Sequence, residues 1–109
     1  MVAKINSAQI TGLKTDLVEV EVDINRGLQS FAIVGLPDKA VAEAKDRINS
    51  AIKNSGFKPP QKGNKKVVVS LAPANIKKEG SNFDLAIALG YLLASGDIKF
   101  DPKERLFIG

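Results

Sequence analysis

The chain has 109 residues, 44 % hydrophobic and 26 % charged, which fits one folded domain with a modest core. It contains no cysteine and no histidine, and this removes disulfides, thiolate metal sites, the histidine-based triad and the commonest general base. The formal net charge is +4; the N-terminal Met1-Val-Ala-Lys-Ile-Asn lacks a signal peptide's apolar core, and no apolar run approaches the ~20 residues of a membrane span, so a cytoplasmic, soluble protein is expected.

Val2 to Ile10 is rich in β-branched residues with partial alternation and reads as a strand. Gly12 and the Lys14-Thr15-Asp16 group supply a turn. Leu17 to Ile24 is the clearest strand, with Val18, Val20, Val22 and Ile24 on one face and Glu19, Glu21 and Asp23 on the other. That pattern predicts a sheet wet on one side. Asn25-Arg26-Gly27 is a turn signal and Gln29 to Val34 a third strand, so residues 2–34 are expected to form an antiparallel meander.

Gly35-Leu-Pro-Asp38 opens a helix, because proline tolerates the first turn and a carboxylate favours the positive helix end. Val41, Ala44, Ile48, Ala51 and Ile52 recur at helical spacing through to Asn54, and Ser55-Gly56 closes the helix. After a loop over 57–64, Lys65 to Leu71 is a strand whose Val67-Val68-Val69 is apolar on both faces and belongs inside the sheet. Strand, helix and strand predict a right-handed crossover. Ser81 or Asn82 can cap a second, largely apolar helix over Phe83 to Ala94, which Ser95-Gly96 ends. The expected fold class is α+β, a sheet of four or five strands with two helices packed on it. The chain stops at Arg105-Leu-Phe-Ile-Gly109, which reads as a strand just beginning, so an N-terminal piece of something longer is expected.

Charge is unevenly spread. Residues 1–36 hold three bases and four acids, whereas residues 37–109 hold thirteen bases and eight acids. Between Asp46 and Glu79 there is no acid, while Lys58, Lys62, Lys65, Lys66, Lys77 and Lys78 fall there. These six lysines are the candidate nucleic-acid contacts, with a solvated lysine-rich surface as the alternative. Only Phe57 interleaves with them, which gives little support to base stacking, so binding would be electrostatic and salt-dependent.

The remaining chemistry is sparse. The phosphate-loop spacing is absent, so no cofactor site is expected within these residues. A metal site would need carboxylates alone, and the twelve acids form no tight cluster. In the loop before the second helix, Ser81 and a neighbouring lysine could make a nucleophile without histidine, provided that the amine is desolvated. Lys77 and Lys78 lie in a polar loop and are expected to be hydrated and cationic, Ser81 or Asn82 to be a helix cap, Glu79 a loop-bracing carboxylate, and Asp84 a helix-dipole partner. No catalytic residue is assigned.

Several segments, taken together, resemble a known family. They are Val20-Glu-Val-Asp23, Arg26-Gly-Leu28, Phe31-Ala-Ile-Val-Gly-Leu-Pro-Asp38, Ala51-Ile-Lys-Asn-Ser-Gly-Phe57, Val69-Ser-Leu-Ala-Pro-Ala74, Lys77-Lys-Glu-Gly80, Phe83-Asp-Leu-Ala-Ile-Ala88 and Ala94-Ser-Gly96. In order and spacing they look like the N-terminal domain of the magnesium-chelatase-like AAA+ ATPases, the YifB or competence protein ComM family, over nearly the whole chain. The resemblance implies a ribosomal protein S5 domain 2-like fold, shared with the Lon catalytic domain. It also implies one N-terminal domain over 1–109 and a separate AAA+ module that would supply ATP and magnesium binding. Hexameric assembly and DNA branch migration in natural transformation are implied as well; that no membrane partner is expected follows from the lack of a long apolar run. Lon proteases carry Lys-Asp-Gly-Pro-Ser-Ala-Gly with the serine as nucleophile. Aligned on Lys78-Glu-Gly80, the nucleophile falls on Asn82, which has no attacking hydroxyl. A non-catalytic accessory domain leads, with a Lon-like serine–lysine peptidase and a plain interaction module as rivals.

Overall fold

The computed structural model describes residues 2–60, 64–73, 78, 83–99, 101, 102 and 107. Strands β1 (Val2–Thr11), β2 (Lys14–Arg26), β3 (Ser30–Val34) and β4 (Lys65–Ala72) form a four-stranded mixed sheet in the order β1-β2-β4-β3. Helix α1 (Asp38–Asn54) connects β3 to β4, and α2 (Asp84–Ser95) follows β4. The fold is α+β. No helix among the described residues is long and apolar enough to cross a membrane.

The alternation in β2 sets the two faces of the sheet. Val18, Val20 and Val22 are buried with Ala3 and Ile5 of β1 and with Val67, Val69 and Leu71 of β4. They form one core with Ala44, Ile48 and Ile52 of α1 and Ala86, Ile87 and Tyr91 of α2. Gly90 lets α2 lie against the sheet: a Cβ there would sit 2.8 Å from Val22 Cγ2. The opposite face carries Lys4, Glu19, Glu21, Asp23 and Lys66 and has no helix among the described residues on it.

Two expectations need correction. Residues 2–34 are not a meander, because β4 inserts between β2 and β3: β2 pairs antiparallel with β4, and β3 pairs parallel with β4. The crossover through α1 returns the chain to the inner position, where valines at 67 and 69 are fully buried. Strand β2 is also longer than its hydrophobic core. It runs from Lys14 to Arg26, because β1 pairs with it up to a two-residue hairpin loop in which Gly12 takes φ +61°. Asn25 and Arg26 are therefore ladder residues paired to Lys66 and Lys65, not turn residues.

The helix ends fall within a residue of where the sequence places them, but the expected cap by Ser81 or Asn82 is corrected: Phe83 occupies the N-cap of α2 and no side chain caps it. Asp38 opens α1, and Gly96 closes α2 at φ +83°. The expected final strand is described only at Phe107. There the backbone N–H donates to Asn6 O at 2.9 Å, and Ser7 Oγ donates to Phe107 O at 2.6 Å, on the free edge of β1. Asp84 does more than favour a helix dipole: Arg47 Nε of α1 donates to its Oδ2 at 2.6 Å and ties the two helices together. The carboxylate raises the Arg47 pKa, chiefly through this hydrogen bond.

Candidate functional site

Two of the six candidate lysines meet at one end of the sheet. Arg26 ends β2 and Lys65 begins β4, and the ladder sets them directly opposite each other. They share the parity of Ile24 and Val67, the face that carries the helices. Lys58, in the loop after α1, joins them. Together with Ile24, Asn25, Asn64, Ala94 and Ser95 they line a cleft of about 420 Å³. The bend after β2 closes one side, where Gly27 N–H donates to Asn64 O at 3.4 Å. A shallower depression lined by Arg26, Gly27, Leu28 and Asn64 adjoins it.

Tyr91 holds two walls of this cleft. Its side chain lies inside α2's packed face, only 1 % exposed. A buried phenol needs a partner for its hydroxyl, and this one has two. It donates to Lys58 O at 3.2 Å and accepts from Lys65 Nζ at 3.3 Å. The Lys65 ammonium also lies 5.5 Å from the ring centroid, a contact of about 0.5–1 kcal/mol at such half-exposed sites. Among the described residues the lining carries three cations and no carboxylate. The neighbouring Asp97 is held by Ser95 Oγ, which donates to its Oδ2 at 2.7 Å.

The other lysines do not join this group. Lys66 is exposed on the opposite, open face, paired in register with Asn25 and Ser30. Lys78 sits beyond the far end of β4 and is only 2 % exposed, with Nζ donating to Pro73 O at 2.5 Å. Burial lowers its pKa. This corrects the expectation of a hydrated loop lysine: enclosure strips water from the ammonium, and the Pro73 carbonyl is one of the groups that hold it. Lys62, Lys77, Glu79, Ser81 and Asn82 lie outside the described residues.

Arg26 and Tyr91 are the residues at this cleft that sequence reasoning missed. Arg26 hid inside a turn signal, although the β2 alternation, continued past Ile24, places it on the helix side. Tyr91 hid inside an apolar helix; being the chain's single tyrosine, its need for a polar partner was the available clue. Among the described residues no group of three His, Cys, Asp or Glu could hold a metal ion. The described lining of the cleft offers cations and side-chain amides.

Comparison with known proteins agrees with the segments that suggested a family. The profile of subunit ChlI of Mg-chelatase matches residues 20–109. Competence protein ComM of Haemophilus influenzae is 47 % identical over 80 % of this chain, and YifB of Escherichia coli is 44 % identical over 85 %. A protein of Mycobacterium tuberculosis is 38 % identical over 92 % of the chain. The chain spans only 16 % to 19 % of the length of these relatives. With most of its length matched by that profile and by relatives of this similarity, the chain belongs to the magnesium-chelatase-like family, with ComM and YifB among its homologues.

Proposed function

We propose that this chain, over 1–109, is the N-terminal accessory domain of a DNA-handling AAA+ ATPase and performs no catalysis itself. In this reading the fold is of the ribosomal protein S5 domain 2 type. ATP and magnesium belong to a separate AAA+ module, the whole protein works in the cytoplasm as a hexameric ring, and branch migration during natural transformation is its process. A relative named as a competence protein supports that direction. The observation that carries DNA contact is the concave lining itself: Arg26, Lys58 and Lys65 converge without a carboxylate among the lining residues. Convergent cations on a concave surface attract phosphates and release counterions on binding.

The test is a fluorescence anisotropy titration of an oligonucleotide against salt. Replacing Arg26, Lys58 and Lys65 together with alanine is expected to weaken binding and to flatten the log–log salt slope by up to about one unit per lost phosphate contact. An unchanged slope removes the DNA contact from this surface.

One observation favours a second reading. A serine–lysine peptidase requires a desolvated amine, and Lys78 is desolvated. The accessory reading is preferred because the Lon-pattern nucleophile position is Asn82. Labelling of Ser81 by a fluorophosphonate probe would reverse that preference.

A further inference from the structure

Like charges placed directly opposite each other on neighbouring strands destabilise a sheet. Arg26 and Lys65 are such a pair, at the end of the β2–β4 ladder. Lys58 adds a third cation to the same cleft, and no carboxylate lines it among the described residues. Among the described residues two other cations lie close to a carboxylate: Arg47 to Asp84 at 2.6 Å and Lys14 to Asp16 at 3.8 Å. Beside the Arg26–Lys65 pair lies a buried hydroxyl, that of Tyr91. Tyr91 fixes the Lys58 backbone and the Lys65 ammonium at once. A site that keeps repelling charges in place, with hydrogen-bond donors beside them and an apolar floor of Ile24 and Ala94, is organised before its ligand arrives.

We propose that the cleft between Arg26 and Lys65 is a preorganised phosphate site, with Arg26, Lys58 and Lys65 as its cations, Asn25 and Asn64 as its amide partners and Tyr91 as its positioning residue. This rests on the reading of the cleft as a polyanion contact and goes further by naming one phosphate group as the unit recognised. The arginine fork suits the planar pairing of two phosphate oxygens, and the lysines act as point charges. The cleft's size falls in the ~300–1,000 Å³ range of small-ligand sites. The phosphate could be part of a nucleic-acid backbone or of a free phosphorylated metabolite, and the two sources separate by experiment.

The cross-strand repulsion makes a prediction of unusual sign. Without ligand, Arg26→Gln is expected to raise the melting temperature by about 1–5 °C, because the repulsion is relieved. The same change is expected to abolish stabilisation by added phosphate or pyrophosphate. In an NMR titration of the full chain with inorganic phosphate, the amide signals of Gly27 and Asn64 are expected to shift. Tyr91→Phe, which keeps the ring and loses the hydroxyl, is expected to weaken that titration about 3- to 10-fold.

Absence of these shifts with inorganic phosphate, pyrophosphate and a single-stranded oligonucleotide overturns the site, even where DNA binding is detected on another surface. A lower melting temperature for Arg26→Gln together with unchanged phosphate affinity also overturns it. Shifts with phosphate that an oligonucleotide reproduces at lower concentration identify a backbone phosphate. Shifts with phosphate that an oligonucleotide leaves untouched keep the site, identify a free phosphorylated ligand and remove the DNA reading.

Discussion

Strand β4 has a lysine near each end, and the two ends use it in opposite ways. At the start, Lys65 is half-exposed and leans on neutral Tyr91, with Arg26 across the ladder and a cleft in front of it. Past the finish, Lys78 is enclosed and bonds the carbonyl of Pro73. Counting charge along the chain treats the two alike. Their surroundings separate a half-exposed cation at the rim of a cleft from an enclosed one bonded to the Pro73 carbonyl. An ammonium already bonded to a carbonyl and cut off from water can offer little to a phosphate. An ammonium set beside a phenol keeps donors to spare, since lysine has three.

The sharpest way to break this contrast is to remove each lysine in turn. Lys78→Ala deletes a charge-assisted hydrogen bond and leaves a void, so a loss of about 2–4 kcal/mol in chemical denaturation is expected. Lys65→Ala is expected to change stability by less than about 1 kcal/mol. Equal losses would erase the distinction. Affinity should reverse the order. Lys65→Ala is expected to weaken oligonucleotide binding about 3- to 10-fold, whereas Lys78→Met stays within about twofold.

The smallest effect concerns pH. Lys78's pKa is lowered on folding from its ordinary value of 10.5 because burial disfavours the ammonium. Between the folded value and 10.5 the unfolded chain therefore binds more protons, and stability rises with pH through this group. Below the folded value the cost of burying the charge is complete. Wild type should accordingly gain stability relative to Lys78→Met as pH climbs toward 10.5, measured as the difference between the two denaturation curves. A flat difference would mean that the amine keeps its water.

Much of the fold was legible because period-two and helical patterns were clean. The valines of β2, the run Val67-Val68-Val69 and the α1 stripe through Ala44, Ile48 and Ile52 all ended in the core or in the inner strand. Strand order was not legible. The short link between β2 and β3 suggested a hairpin, and alternation within a strand carries no information about which neighbour completes its ladder. The candidate cleft was legible in part from composition and not in geometry. An acid-free stretch pointed at Lys58 and Lys65, but Arg26 lay outside that stretch and entered only through the β2–β4 register. Lys78 lay inside the stretch and left the surface through tertiary enclosure, which no local pattern marks.

The proposal places polyanion contact at the Arg26–Lys58–Lys65 cleft and not across the lysine population at large. Lysine acetylation footprinting by mass spectrometry, with and without a single-stranded oligonucleotide, tests it most directly. The expected result is slowed modification at Lys58 and Lys65, an unchanged rate at Lys66 on the open sheet face, and low reactivity at Lys78 in both states. Protection at Lys66 with none at Lys58 and Lys65 would contradict it.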